Sequence, residues 1–428
     1  MQLQKLSKKE FRKIPDEWEI IKINDLGEIV TGNTPSTSFR EYYGNDYLWA
    51  SPIDLGDTKY IESTQTMLSN EGFQQSRNIP QKSVLVVCIG STIGKVGIAK
   101  KEMSTNQQIN SIICKEDIDN EFIYYQLVNN QKKIKDLSNQ LAIRILNKND
   151  FGLLEIIKPK RIKEQQKISS ILSKVDELIQ NTEQTIEQTQ RLKKGLMQRL
   201  LTKGIGHTKF KKAIFGFRFI QEKIPESWKV LSIKEISIDG FRNGIFKKRE
   251  DFGKGVPLVN VSDLFIENDI DVNSLERVNV NDNELKQFGI NEGDIFFCRS
   301  SLVLDGIGRS NIISNLIEPS VFECHVMMLR PNKEKINAKF LKYYTNSKIA
   351  RRFLLSIAMT LTMTTIRQPD LEKLPIVVPP LSEQEKIICI LLELDSKINH
   401  DQYELENLSK LKRGLMQKLL TGKIRVKV

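Results

Sequence analysis

Long apolar runs are missing from this sequence. None approaches the roughly 18 residues that a membrane-spanning helix needs. The opening stretch, Met1 to Arg12, is polar and basic and has no apolar centre, so no secretory leader is expected. Cysteine is scarce. Cys88, Cys114, Cys298, Cys324 and Cys389 form no CxxC pair and are odd in number, which points to reduced thiols in a cytosolic setting. The three histidines, His207, His325 and His400, are too scattered for a metal cluster or a catalytic triad.

Familiar catalytic patterns fail as well. Cys88-Ile89-Gly90-Ser91-Thr92-Ile93-Gly94-Lys95 imitates a phosphate loop. However, Ile89 replaces its first glycine and Val96 its hydroxyl residue. A polar loop after a buried strand is the better reading. Gly306-Ile307-Gly308 is a lone GxG and reads as a turn. Adenine methylation needs an Asn/Asp-Pro-Pro-aromatic loop, but the only Pro-Pro, Pro379-Pro380, stands between Val378 and Leu381. Pro369-Asp370 with Asp395-Ser396-Lys397 resembles a nuclease pattern. Its Asp-x-Lys falls on an expected helix, and Leu178 occupies the lysine's place in the other half. No catalytic residue and no metal ligand is assigned.

Positive charge is abundant. Lys and Arg exceed Asp and Glu by 12. That surplus suits a polyanion, nucleic acid first and a membrane surface second, although an ordinary basic protein would also show it. With 428 residues, 39% of them hydrophobic, two or three domains can each bury a core.

The chain repeats itself. Ile14-Pro15-Asp16-Glu17-Trp18 returns as Ile224-Pro225-Glu226-Ser227-Trp228 at an offset of 210, shared by Cys88/Cys298 and Cys114/Cys324. Val84-Leu85-Val86-Val87 and Ile295-Phe296-Phe297 read as short buried strands. Glu164-Gln165-Gln166-Lys167-Ile168 returns as Glu383-Gln384-Glu385-Lys386-Ile387. Lys193-Lys194-Gly195-Leu196-Met197-Gln198 returns as Lys412-Arg413-Gly414-Leu415-Met416-Gln417. Both offsets are 219, as for Tyr124-Tyr125 and Tyr343-Tyr344. Nine extra residues are therefore expected between Cys324 and Tyr343. So long a period signals a duplicated domain pair, not a solenoid. Trp18 and Trp228 are expected core anchors, and Trp49 is less certain.

Residues 163–203 contain no proline and one glycine. Ile168, Ile171, Leu172, Val175, Leu178, Ile179, Ile186, Leu192, Leu196 and Leu200 form an apolar stripe at helical spacing. Ile387, Ile390, Leu391, Leu394, Ile398, Leu405, Leu408, Leu411, Leu415 and Leu419 repeat it. Forty residues make a rod of about 60 Å. Two such rods can pair as a coiled coil, with a seam weakened by Thr182, Thr185, Thr189, Asp401 and Glu404. Both helices end in basic turns containing Lys193 and Lys412. These turns complement the helix dipole, or else contact phosphate or a partner.

These blocks resemble the specificity subunit of Type I restriction-modification systems over nearly the whole chain. The most specific pieces are Gly195-Leu-Met-Gln-Arg-Leu-Leu201, Gly414-Leu-Met-Gln-Lys-Leu-Leu420 and Val378-Pro-Pro-Leu-Ser-Glu-Gln384. Thr31-Gly-Asn-Thr-Pro-Ser36 and Thr105-Asn-Gln107 resemble target recognition domain pieces. The resemblance implies an α+β fold. Two globular, α/β-mixed target recognition domains would be separated by two long antiparallel helices forming a coiled coil, with pseudo-twofold internal repetition. The implied layout is a basic tail at 1–13, domains at 14–162 and 224–381, and helices at 163–203 and 382–421. A linker at 204–223 and a basic tail at 422–428 complete it. It further implies a non-catalytic reader of a gapped, two-part DNA site, docked to two methylation subunits and in some systems to restriction subunits. The reader would hold no cofactor. Its partners would use S-adenosylmethionine, and ATP with Mg where restriction is present. Half-sites about one helical turn apart, roughly 34 Å, would suit antiparallel helices.

The sequence departs from the family at Lys158-Pro159-Lys160 and at Phe241-Arg242-Asn243-Gly244, so the two modules are expected to read different half-sites. Base reading needs polar side chains on loops. In the first module the candidates are Thr31, Asn33, Thr34, Ser36, Arg40, Ser91, Thr92, Lys95, Thr105, Asn106, Gln107 and Gln108. In the second they are Arg242, Asn243, Lys247, Lys248, Arg249, Arg299, Ser300, Ser301, Arg309, Ser310 and Asn311, with Arg367 and Gln368 as weaker additions. The alternative is a coiled-coil scaffold whose basic surface is incidental.

Overall fold

The computed structural model describes residues 14–138, 144–215, 220–360 and 363–428. The basic tail expected at 1–13 lies outside them. The chain divides into two compact units, Met1–Gln184 with Gln402–Val428, and Thr185–Asp401. This division crosses both long helices, Ile162–Lys203 and Leu381–Leu419. Each unit therefore holds one globular module, the first half of the helix that follows it, and the last half of the other helix.

In the first unit, a five-stranded sheet runs Gly27–Thr31, Ile109–Cys114, Val84–Val87, Val96–Ala99, Tyr60–Ile61 in spatial order. A four-stranded sheet centred on Tyr43–Ala50 lies in the same module. The run Val84–Val87 is apolar throughout because both its faces are covered. Val84 and Val86 enter the main core, and Leu85 and Val87 enter a second core with Leu48, Ala50 and Met103. Ile168 and Leu172 complete the main core from the start of the first helix. Met416, Leu419 and Leu420 complete it from the end of the second.

The second unit repeats this plan. Its four-stranded sheet runs Ser237–Asn243, Val326–Pro331, Ile295–Cys298, Ser310–Ile312. Ile295 and Phe297 enter the main core with Ile387, Leu391, Leu200 and Leu201, and Phe296 and Cys298 face a second one. Thus Leu200-Leu201, which follows the first module in sequence, closes the core of the second. Residues 204–223 are not a plain linker: Phe210–Phe215 and Ile220–Pro225 form an antiparallel pair.

The structure corrects the alignment of the halves. Val87 pairs with Ile109, as Cys298 pairs with Val326. Cys298 is therefore equivalent to Val87, and the cysteine match at 210 is coincidental. Cys88 points into the opposite core. A one-residue slip turns every side chain of a strand to its other face, so the strand itself rejects the cysteine alignment. The same ladders match Asn110 with Met327, an offset of 217, so extra residues already accumulate before Cys324. Cys114 ends a strand, while Cys324 precedes one.

The helix boundaries agree with the sequence reading to within two residues. The stripe is less regular than expected: Leu178, Leu192 and Leu411 are exposed. Within each unit the paired helix halves run antiparallel. In the first, Lys412 pairs with Asp176 at 2.6 Å. In the second, Lys193 pairs with Asp395. These lysines of the basic turns thus serve neither the dipole alone nor a free phosphate.

Candidate nucleic-acid interface

Each module is fixed to its helices by the same two devices. The first surrounds the Glu-Gln pair that opens each helix. Trp18 donates its indole N–H to Glu164 at 3.2 Å, and Arg425 donates to both oxygens of that carboxylate at 2.6 and 2.8 Å. In the second unit, Trp228 donates to Glu383 at 2.9 Å, and His207 lies 2.8 Å from it. The expected tail at 422–428 is therefore a clasp. Gln165 accepts from the Asp119 N–H and donates to the Pro159 carbonyl. Gln384 accepts from the Asn337 N–H and donates to the Pro379 carbonyl. Both tryptophans are core residues, as expected.

The second device is an aspartate on each helix. Asp176 accepts from Tyr125 at 2.6 Å, and Asp395 accepts from Tyr343. Burial, then the bond to the carboxylate, pushes both phenols far up, so both remain donors. The equivalent tyrosines are thus Tyr125 and Tyr343, an offset of 218, not 219. Asp395, part of the nuclease look-alike, is consumed by this tie.

The candidate DNA-reading loops gather at one edge of the main sheet. In the first unit, the end of Gly27–Thr31, the end of Val84–Val87 and the start of Ile109–Cys114 meet there. Gly32 follows the first strand because a Cβ would lie 2.1 Å from the Thr105 carbonyl. Gly244 has the same place in the second unit, where a Cβ would lie 2.2 Å from the Glu323 carbonyl. The Thr-Gly turn and the Asn-Gly turn therefore share one place in the two units, as the sequence comparison aligned them, and differ in their residues.

Several candidates brace this edge. Thr31 donates to Asn110 at 2.6 Å. The Asn33 carboxamide bridges the Gln75 carbonyl and the Arg77 N–H, and Trp49, half-buried, donates to the Asn33 carbonyl at 3.1 Å. Thr34 donates to Gln107, drawing the two loops together. Asn106 is buried and bonds Gln108 through both ends of its carboxamide. Thr105 is fully buried. Thr105 and Asn106 are thus corrected from contact residues to parts of the scaffold. Thr34, Ser36, Arg40, Ser91 and Gln107 face outward, while Thr92, Lys95 and Gln108 are half-buried. The loop Gly90–Gly94 leads into the strand Val96–Ala99, not into a helix, so it is no phosphate loop. Sequence reasoning missed Arg77, which donates to the Thr31 carbonyl at 2.9 Å, and exposed Arg144, whose carbonyl accepts from Gly90. Arg77 stands in a polar Gln-Ser-Arg-Asn stretch that could have flagged it.

The second unit loses more candidates to bracing. Asn311 is fully buried; its amide donates to the carbonyls of Asp263, Ile266 and Asn268 at 3.2, 3.3 and 2.9 Å. It holds a loop and cannot reach a base. Ser300 and Ser301 are buried in a small sheet with Thr364–Thr365. Ser310 is buried against Thr345. Lys247 is paired with Glu284 at 2.8 Å, and Gln368 with the Phe241 carbonyl at 3.0 Å. Arg367 pairs with Asp370. Asn243, Lys248, Arg249 and Arg299 face outward, while Arg242 and Arg309 are half-buried. Arg309 is held by Asp305 at 2.6 Å. Beside them stands an apolar loop: Leu302, Val303 and Leu304 are 85%, 63% and 54% exposed. The Ser301 hydroxyl and Arg351 fix its backbone.

Glu323, Cys324 and His325 offer ligand atoms within 4.8 Å of one another. Burial, and then Glu323, push the Cys324 thiol up, which disfavours the thiolate a metal would need. Among the described residues no helix is long and apolar enough to cross a membrane.

Two modules of one topology, carrying different side chains at one loop-bearing edge, define a protein that presents two related but unequal surfaces. Comparison with known proteins then gives the family. The family model described as the Type I restriction modification DNA specificity domain matches residues 15–191 and 225–408. The chain belongs to the family of Type I restriction-modification DNA specificity subunits. It is 28% identical over 421 residues to the MjaVIII specificity subunit of Methanocaldococcus jannaschii, covering 97% of this chain and 95% of that one. It is also 39% identical over 153 residues to the HindI specificity subunit of Haemophilus influenzae, covering 35% and 33%. In fold it resembles the S subunit from M. genitalium, with a TM-score of 0.57, 18% identity, and coverage of 95% and 96%. It likewise resembles a chain from a type I R-M assembly, with a TM-score of 0.58, 15% identity, and coverage of 96% and 100%.

Proposed function

We propose that this specificity subunit is itself non-catalytic and reads an asymmetric, gapped DNA site, one half with each module. The supporting observation is the shared loop-bearing edge with unequal contents. Thr34, Ser36, Arg40, Ser91 and Gln107 face outward in one unit, and Asn243, Lys248, Arg249 and Arg299 in the other. Polar and cationic side chains of these types suit base edges and phosphates. Two methylation subunits bring S-adenosylmethionine, and restriction subunits, where present, bring ATP and Mg. The chain itself needs no cofactor.

The test is to map methylated adenines in cells with and without the gene. A gapped motif that vanishes with the gene is the expected result, and no gene-dependent motif would sink the reading. Exchanging residues 14–160 for a homologous module should change one half-site and leave the other. An unchanged DNA preference would favour an assembly scaffold instead.

A further inference from the structure

The helix Lys348–Ile357 begins in an unusual way. Ser347 stands at its N-cap, yet its hydroxyl caps nothing. Ser347 is only 7% exposed, and its oxygen has no hydrogen-bond partner. A serine at this position ordinarily accepts from the first-turn N–H groups, which have no acceptor inside the helix. The preceding helix, Ala338–Thr345, is capped normally: Asn337 accepts from the N–H groups of Lys339 and Phe340. The first turn at Lys348 also contains no acid. It carries Lys348 at its start and Arg351 one turn on, the wrong sign for the positive end of a helix dipole.

Ser347 and Lys348 line a cleft that lies wholly within the second unit, together with Lys342, Arg309, Lys193 and Lys194. Three of these cations are already matched, by Asp269, Asp305 and Asp395 respectively. Lys194 and Lys348 are exposed, and among the described residues no carboxylate pairs with either. Against the carboxylates of Glu267 and of Asp305, the latter already held by Arg309, the cleft thus combines a helix N-terminus, two uncommitted ammonium groups and, buried at its wall, a hydroxyl with no partner. An oxyanion would satisfy all of them at once. The helix at the same place in the first unit, Gln131–Leu137, is preceded by Asn130, whose amide donates to Gln126, so no vacant hydroxyl stands there.

We propose that the cleft at Ser347 binds a phosphate group, with the Ser347 hydroxyl and the first-turn N–H groups donating to its oxygens and Lys194 and Lys348 neutralising it. The phosphate comes either from the DNA backbone or from a free phosphorylated ligand. The site belongs to the second unit alone.

Calorimetric titration of the full chain with inorganic phosphate, at ionic strength held constant with chloride, tests this directly. One phosphate per chain is expected. Ser347→Ala should bind roughly tenfold more weakly, having lost a bond to a charged group. Lys348→Gln and Lys194→Gln should each weaken binding several-fold. No binding, or variants that bind like the parent chain, would overturn the proposal. Lys348 and Lys194 are exposed, so their variants remain informative if Ser347→Ala fails to fold.

A second arm identifies the source, and it alone rests on the DNA-reading function. In duplex DNA binding at several salt concentrations, Lys348→Gln should lower the slope of log K against log salt by about 0.9 if the phosphate is in the backbone. An unchanged slope, with inorganic phosphate binding weakened, assigns the site to a free phosphorylated ligand. If the chain ignores DNA yet binds inorganic phosphate, the DNA reading falls and the site stands.

Discussion

The loop after the central strand differs sharply between the two units. In the first it is Gly90–Gly94, short and polar, with Ser91 outward and Ile93 buried. In the second it contains Leu302, Val303 and Leu304, held out into water by a backbone that Ser301 and Arg351 fix. The strands beneath are equivalent residue for residue. The ties to the helices, Glu164 and Asp176 against Glu383 and Asp395, are equivalent too. The edge varies while the central strands and the carboxylate ties persist, so a module can change what it contacts without disturbing how it is held.

The ties are where this comparison is broken with the largest effect. Glu164→Ala leaves the Trp18 indole without its acceptor and Arg425 with Glu17 alone, and should cost about 3 kcal/mol. Glu383→Ala should cost about 2 kcal/mol, since a histidine replaces the arginine. Urea unfolding measures both, and a negligible cost in either would show the ties to be unequal.

Bracing and contact separate next. Asn311→Ala should destabilise the chain by about 3 kcal/mol while leaving the order of preference among DNA sequences unchanged. Arg299→Ala should leave the unfolding midpoint in place and weaken DNA binding roughly tenfold. The reverse pattern would return Asn311 to the contact surface.

Smaller effects sharpen the picture. Tyr343→Phe removes the bond to Asp395, and Tyr125→Phe removes the bond to Asp176 with a longer one to Ser173; each should cost about 1 kcal/mol in unfolding experiments. Burial pushes the Cys88 thiol up to about 12 and that of Cys298 to about 11. In the folded chain at pH 8, alkylation followed by mass spectrometry should therefore mark exposed Cys389 and spare both. Early labelling of Cys88 would mean that its strand is not closed.

The duplication, the long helices and the tryptophan anchors were legible in the sequence because periodicity and repeated blocks record them directly. The cysteine alignment misled because a strand places neighbours on opposite faces, and a single offset says nothing about which face is buried. The site was half legible. Asn311 and Arg299 look alike as polar loop residues, and only burial separates a brace from a reader. The exchange of helix halves was hidden, since an apolar stripe does not name the core it completes.

That exchange has a consequence for synthesis. The first module is translated before the second, but Met416, Leu419 and Leu420, which close its core, are made only after the whole second module. A stop codon near residue 410 would spare every codon of the first module and still leave that module unfinished. Damage beyond the second module would be felt in the module made before it.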